Sequence, residues 1–280
     1  MSQAAMVEYD AGSAFRRRTD EESQLLDRLR AWRRQRIIER RAPSQALWLE
    51  VVGSLPVLRG LEPPQQQALR DLSTLLLHKV QLVEVADVRL GERDVWSLAA
   101  QACLPILELG LDWYEACATI VVYPGNFVAR HRYRDEVGLE HEDVVPLSGE
   151  AWDSGPIVLS LDDVRDAGAA DGFNVVIHEF AHKLDMLNGD ANGHPPLHGN
   201  MRLADWTSAF TDAYADFTAR VLAGEHPDGL DTYAAESPAE FFSVASESFF
   251  EIPGRLRRLY PEVYRQLALF YRQRPDERLG

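Results

Sequence analysis

The stretch from Val175 to Asp185 constrains the fold of this chain more strongly than any other. Two histidines and a glutamate, His178, Glu179 and His182, stand in the middle of it. Titratable groups inside a protein must be paired, bound to an ion or used in catalysis, because burying an unpaired charge is costly. The fold must therefore bring partners to this segment. Its apolar residues, at helical spacing, predict a buried or half-buried helix: Val175, Val176, Ile177, Phe180, Ala181 and Leu184.

Composition places the chain among ordinary globular proteins. Of its 280 residues, 46% are hydrophobic and 26% are charged, and no apolar run is long enough to span a bilayer. The first residues lack the charged-then-apolar order of a secretory signal, so we expect a cytoplasmic protein without a membrane partner. Cys103 and Cys117 lie in apolar surroundings, which favours buried reduced thiols over a disulfide.

The charge is uneven along the chain. A net charge of −15 argues against nucleic-acid binding. Residues 16–41, however, contain ten arginines and only five acidic residues. Such a basic segment can dock an acidic partner or a membrane surface. We favour the simpler interpretation, a solvated helix face on the chain's own acidic body.

The order of predicted elements indicates an α+β fold with a small mixed sheet and a mostly helical C-terminal half. Strands are predicted for residues 79–85, 119–123, 144–147 and 156–160. Helices are predicted for residues 20–41, 44–52, 63–78, 92–109 (interrupted near Pro105), 173–188, 203–223, 237–251 and 261–272.

His178 and His182 stand four residues apart, so on a helix they share one face. Two imidazoles at this spacing can bind one metal ion, for which zinc is well suited. Glu179 then lies where a carboxylate can take a proton from a metal-activated water and pass it to a leaving amine. This is the H-E-x-x-H pattern of metallopeptidases. The alternative is a pair of core histidines that donate to backbone carbonyls.

A catalytic zinc ion needs a third protein ligand, and Glu240 is our choice. Ser237 and Pro238 predict a helix start, which puts Glu240 in the first helical turn. Alternatively, Glu240 is a capping-box carboxylate that reaches back to Ser237. Other candidate ligands are Glu236, Glu247, His194 and His198.

Three further residues are candidates for supporting roles. Tyr233 can donate a hydrogen bond to the oxyanion of a tetrahedral intermediate, or it is a packing residue. Asp185 shares a helix face with the two histidines, and Glu247 follows Glu240 by two turns. Each carboxylate either orients an imidazole N–H or is a solvent-facing charge.

Three segments together resemble the Mlc titration factor A family of bacterial zinc-dependent peptidases. They are HEFAHKLDMLNGD at 178–190, DTYAAESPAEFFSVASESFF at 231–250 and GPIVLS at 155–160. The resemblance extends over residues 20–275. The site is also similar to the catalytic domain of anthrax lethal factor, in which a tyrosine likewise stands seven residues before the ligand glutamate.

This resemblance implies one zinc ion bound by His178, His182 and Glu240, with Glu179 as the base and a role for Tyr233 in the transition state. It also implies aminopeptidase-type cleavage of small peptides and binding to a transcriptional repressor of sugar uptake. Related metallopeptidases often carry an aspartate four residues after the ligand glutamate to support a histidine. This chain has Val244 there, and we expect Glu247 to substitute.

The sequence thus predicts a zincin-like peptidase that hydrolyses peptide bonds through a zinc-activated water. Residues 1–18 are expected to form a mobile tail, and residues 19–275 a single unit. Within that unit, a helical part extends to about residue 115 and a catalytic part begins at about residue 116. The competing hypotheses are a non-catalytic regulator-binding protein with a structural zinc, and a zinc hydrolase acting on a non-peptide amide.

Overall fold

The computed structural model divides this chain into two units, residues 1–42 and residues 43–280. The predicted single unit from 19 to 275, with parts that meet at about residue 115, stays a prediction. The residues described are 11–125, 127–134, 140–147, 149–151, 155–227 and 230–279, with side chains described for 26–125, 155–227 and 230–279.

The first unit contains one helix, α1 (Ala11–Arg41). It begins nine residues before the predicted start, so part of the predicted tail is helical. Alanine and arginine, which are good helix formers, occur in this added stretch and explain the longer helix. The predicted mobility of residues 1–18 stays a prediction, and residues 1–10 lie outside the described part of the chain.

The second unit begins with helices close to those predicted. They are α2 (Gln45–Ser54), α3 (Pro63–Lys79) and α4 (Glu92–Cys103). The hydroxyl of Ser44 accepts a hydrogen bond from the backbone N–H of Leu47 and caps α2. Helix α4 ends six residues earlier than predicted, because Pro105 has no N–H to continue the helical hydrogen bonds.

Six strands occur in the described residues: β1 (Gln81–Glu84), β2 (Thr119–Tyr123), β3 (Phe127–Arg134), β4 (Glu140–Leu147), β5 (Gly149–Ala151) and β6 (Ile157–Ser160). One sheet has the order β1-β2-β6-β5, in which β1, β2 and β6 are parallel and β5 is antiparallel to β6. Strands β3 and β4 pair with each other. The predicted mixed sheet is therefore present, although β3 and β5 were not predicted.

The C-terminal half is mostly helical, as predicted. The helices are α5 (Leu161–Asp166), α6 (Val175–Asp185), α7 (Leu203–Leu222), α8 (Pro238–Glu251), α9 (Pro253–Leu259), α10 (Pro261–Tyr271) and α11 (Pro275–Leu279). Helices α5, α9 and α11 were not predicted, because they are too short to show a helical period. Four of the last helices begin with a proline.

Helices α6 and α8 lie in the middle of the core. Ten of the eleven residues of α6 are buried, and α8 is buried from Phe241 to its end. Aromatic rings pack around them, for example Trp206 stacked on Phe210 with ring centroids 4.3 Å apart. Cys103 and Cys117 are buried and unbonded to each other, as predicted. Among the described residues, no helix combines the length and apolarity that crossing a membrane requires.

Candidate metal centre

Helix α6 begins at a buried asparagine and carries the first two residues of the site. The Asn174 side chain accepts a hydrogen bond of 3.0 Å from the Ile177 N–H and caps the helix. His178 and His182 lie one turn apart on the same face, and their ring centroids are 4.9 Å apart. Because the rest of α6 packs into the core, both rings are held in place by a rigid element.

Helix α8 supplies a carboxylate to the same point. The Ser237 hydroxyl accepts from the Glu240 N–H at 3.2 Å, which fixes the first turn. The Oε2 atom of Glu240 lies 3.0 Å from His178 Nε2 and 3.3 Å from His182 Nε2. The Glu240 carboxylate is thus directed at the two histidines.

These three atoms fit a bound metal ion. The two Nε2 atoms lie 3.2 Å apart, so all three separations are between 3.0 and 3.3 Å. A tetrahedral zinc ion with bonds of about 2.0–2.1 Å places its ligands about 3.3 Å apart. In the part of the chain that the structure describes, no other group of histidine, cysteine or acidic residues converges in this way. The alternatives Glu236, His194 and His198 are not part of the group.

The electrostatics of the group also favour a cation. Burial raises the pKa of Glu240, but hydrogen bonds to the two histidines outweigh it and bring the pKa down to about 2. Burial lowers the pKa of His178, yet the charge of Glu247 and the bond to Glu240 raise it well above its usual value. Negative charge thus surrounds the imidazoles, as a site for a positive ion requires.

Glu247 contacts the far side of the first imidazole. Its Oε1 lies 2.7 Å from His178 Nδ1, and its Oε2 accepts from the Asn174 N–H at 2.5 Å. A histidine that donates from Nδ1 presents the lone pair of Nε2 to the metal position. Val244, at the position where related peptidases often have an aspartate, is buried and lies almost one turn before Glu247 on α8. The carboxylate that contacts the histidine therefore comes from Glu247.

A buried network behind His178 was missed by the sequence analysis. Asn174 Nδ2 donates to Gln101 Oε1 at 2.8 Å and to Glu251 Oε1 at 2.7 Å. Glu251 Oε2 accepts from the Ala170 N–H at 2.5 Å, and burial raises the pKa of Glu251 to about 7. The signal was present in the sequence, because Gln101 and Glu251 are polar residues in otherwise apolar segments of α4 and α8.

Asp185 does not contact an imidazole in the described structure. Its two carboxylate oxygens accept from the backbone N–H groups of Asn192, Gly193 and His194, each at 2.7 Å. Gly193 has a φ of +77°, and a Cβ there would lie 2.5 Å from the Pro238 carbonyl oxygen. Asp185 therefore holds a loop that packs closely against the beginning of α8.

Glu179 and Tyr233 lie between the three converging residues in sequence and near His178 in space. Glu179 follows His178 on α6, and its side chain is buried. The Tyr233 ring centroid is 6.2 Å from that of His178, and 40% of the residue is exposed. Asp231 accepts from the Tyr233 N–H at 2.8 Å and fixes the short 3-10 turn that carries it.

Lys183 is a further buried polar residue that the sequence analysis did not single out. Its Nζ donates to the Gly155 carbonyl oxygen at 3.0 Å. The bond ties α6 to the chain that enters β6, so the helix with the two histidines and the sheet are held together.

Comparison with known proteins agrees with this geometry. Residues 29–272 match the model of the glucose-regulated metallo-peptidase M90 family. The chain is 38% identical over 231 residues to Mlc titration factor A of Cronobacter sakazakii, covering 82% of this chain and 87% of that protein. It is 36% identical over 249 residues to Mlc titration factor A of Salmonella arizonae, covering 89% and 98%. This chain belongs to the M90 family of metallopeptidases.

Proposed function

We propose that this member of the family is a zinc-dependent, zincin-like peptidase with aminopeptidase-type activity. The observation that carries the proposal is the convergence of His178 Nε2, His182 Nε2 and Glu240 Oε2 within 3.3 Å of one another. When bound there, a zinc ion supplies a Lewis acid that polarises a carbonyl and lowers the pKa of water. The substrate is a peptide or protein.

The donor set supports zinc rather than a harder metal. Two imidazoles and one carboxylate are the ligands of many catalytic zinc sites, which leave one position open. Calcium and magnesium prefer sites made of oxygen atoms alone. Structural zinc sites usually contain cysteine, and both cysteines of this chain are buried away from the group.

Glu179 is proposed as the general base and acid. It follows the proposed ligand His178 on a buried helix, and its own side chain is buried. A carboxylate there takes a proton from water during attack on the carbonyl carbon and returns it to the leaving amine. Tyr233, partly exposed beside His178, is proposed to donate a hydrogen bond to the developing oxyanion.

Glu247 is proposed as a positioning residue that fixes the ring orientation and the tautomer of His178. Asp185 is proposed to act less directly, by holding the loop at 192–194 against the start of α8. Tyr233 is partly exposed beside His178, where a substrate could reach both residues. The cytoplasmic location expected from the sequence stays a prediction.

A second proposed function is binding of a transcriptional regulator of sugar uptake. The alternative to the peptidase is a non-catalytic regulator-binding protein in which the zinc ion has a structural role. The name of the relatives, Mlc titration factor A, favours an interaction of this kind. Such binding is compatible with peptidase activity, and we propose that the chain carries out both. The two functions separate in a variant that retains the metal and the fold but lacks the base.

The test combines metal analysis with peptide cleavage by the wild type and by Glu179→Gln. We expect one zinc per chain in both proteins, and a loss of cleavage in the variant on the order of 10²-fold or more. Glu236→Gln is the matched control, because Glu236 is an exposed glutamate close to the site in sequence and outside the group of ligands. Cleavage by Glu179→Gln at the wild-type rate would rule out the assigned base. Unchanged regulator binding in that inactive variant would support the second function.

A further inference from the structure

A concave pocket lined by arginines lies in the second unit. Its guanidinium groups belong to Arg59, Arg255, Arg258 and Arg278, and Glu251 is the one acidic residue in its wall. We call it the arginine pocket. Its volume is about 350 Å³, which is within the range of small-molecule sites.

Three of the four arginines of this pocket differ from their neighbours in how their charge is balanced. Within the described residues, Arg59, Arg258 and Arg278 form no ion pair with a carboxylate. Nearby arginines on the same or adjacent helices do, and the pairs are Arg257–Asp276, Arg265–Glu262 and Arg274–Glu277. In a chain of net charge −15, several uncompensated guanidinium groups around one cavity are a local excess of positive charge that favours an anion.

Arg278 is held rigidly and has an unused donor. Its Nη1 donates to the carbonyl oxygens of Val57 at 2.6 Å and Arg59 at 2.9 Å. Its Nη2 is buried and has no hydrogen-bond partner among the described residues. Burial lowers the pKa of Arg278 to about 10, so the group is still charged at neutral pH. A buried donor without an acceptor costs free energy, and the charge of Arg278 adds to the positive potential at the pocket wall.

The backbone beside Arg278 allows this close approach. Gly60 has a φ of +75°, and a Cβ at that position would lie 2.8 Å from the Arg278 backbone oxygen. The segment before α3 and the last helix, α11, therefore pack against each other directly. The Arg278 guanidinium is held in place before any ligand binds, which lowers the entropy cost of binding at that residue.

We propose that the arginine pocket binds a small soluble molecule through a phosphate group. A phosphate carries nearly two negative charges and several acceptor oxygens, and it can accept from several guanidinium groups at once. The concave shape excludes a duplex nucleic acid, and the negative charge of the whole chain repels one. This site is separate from the metal ligands, and the proposal does not depend on peptidase activity.

The pocket also touches the network behind the metal centre. Glu251 lines the pocket and accepts hydrogen bonds from Asn174 and from the Ala170 N–H. Asn174 in turn donates from its backbone to Glu247, which contacts His178. Two residues, Glu251 and Asn174, therefore connect the pocket to Glu247, which contacts the first histidine.

The test is isothermal titration of inorganic phosphate at neutral pH and constant ionic strength. We compare the wild type with the double variant Arg59→Ala/Arg258→Ala, whose substituted residues are exposed and are not expected to affect folding. The control is Arg220→Ala/Arg265→Ala, which removes the same charge from arginines that pair with carboxylates elsewhere. We expect a wild-type Kd on the order of 1 mM or tighter, weakened at least tenfold, about 1.4 kcal/mol, only in the pocket variant.

Two outcomes would overturn the proposal. One is a wild type that binds no phosphate, and the other is a pocket variant that binds phosphate as tightly as the control does. The metal ligands are intact in both variants, so phosphate bound at the metal would be seen equally in each. Sedimentation with vesicles rich in phosphatidic acid tests whether the phosphate group belongs to a lipid instead of a soluble molecule. Pelleting that depends on Arg59 and Arg258 would assign the pocket to a lipid headgroup and overturn the soluble ligand.

Discussion

Asp185 and Glu247 each follow a proposed metal ligand by the same number of residues, but their carboxylates make different contacts. Asp185 follows His178 by seven residues, and Glu247 follows Glu240 by seven. Glu247 contacts an imidazole nitrogen, whereas Asp185 accepts three backbone N–H groups of a loop. Both positions satisfy the same helical spacing, so spacing alone does not distinguish a carboxylate that orients a ligand from one that holds a loop.

The difference arises from what packs opposite each helix. The part of α6 that carries His178 faces α8, and the side chain that α8 presents there is Glu247. The C-terminal end of α6 faces the returning chain at 192–194, whose N–H groups have no strand or helix to bind them. A buried carboxylate satisfies several such donors at once, and a buried imidazole needs one acceptor.

The largest effect is expected at Asp185. Asp185→Ala leaves three backbone donors without their acceptor, and each such loss costs about 1–3 kcal/mol when the group stays buried. We expect the free energy of unfolding to fall by about 3 kcal/mol or more, measured by urea denaturation. Asp190→Ala, an exposed aspartate in the same loop, is the control. Equal stability of the two variants would contradict the loop-holding role.

Glu247→Ala should affect the metal more than the fold. Loss of the carboxylate that orients a ligand typically weakens metal binding about 10–100-fold. We expect this change in the zinc dissociation constant, measured by competition with a chromophoric chelator. Glu247→Gln retains an acceptor for His178 and should lie between alanine and the wild type. If Asp185→Ala weakens zinc binding as much as Glu247→Ala does, the contrast between the two residues is wrong.

The smallest effect concerns Glu251, a third buried carboxylate in the same region. Burial raises its pKa to about 7 in the folded state, compared with about 4.3 in an unfolded chain. The stability that this group contributes is therefore complete below the unfolded pKa and is lost as the pH rises through 7. Between about pH 6 and 8, the free energy of unfolding should fall by about 1 kcal/mol more in the wild type than in Glu251→Gln. Parallel pH profiles for the two proteins would show that Glu251 does not titrate in this range.

Much of the fold was visible in local sequence patterns. The strand at 119–123 was predicted at its observed bounds, because a run of β-branched residues ends at Pro124 and Gly125. Three helices that begin with proline, α3, α8 and α10, were placed within one or two residues for the same kind of reason. Strand β5 and helices α5, α9 and α11 were missed, because elements of three to seven residues contain too little periodicity to detect.

For the site, the local pattern was enough to propose His178, Glu179 and His182, since four-residue spacing puts both imidazoles on one face. Glu240 was one of several candidates until the fold placed its carboxylate beside them. The roles of Asn174, Gln101 and Glu251 were not predicted. Their partners lie more than 70 residues away in sequence, and no local rule identifies such pairs.

The sequence by itself determined the helix that carries two histidines and a glutamate, the helix start that presents Glu240, and the class of chemistry that these residues support. Only the tertiary structure decided which carboxylate faces His178, which one holds the loop at 192–194, and which arginines surround a common pocket. Helix periodicity and capping act over a few residues, so they can be read locally. Pairing of buried polar groups depends on which distant segments pack together, and that is settled only when the whole core forms.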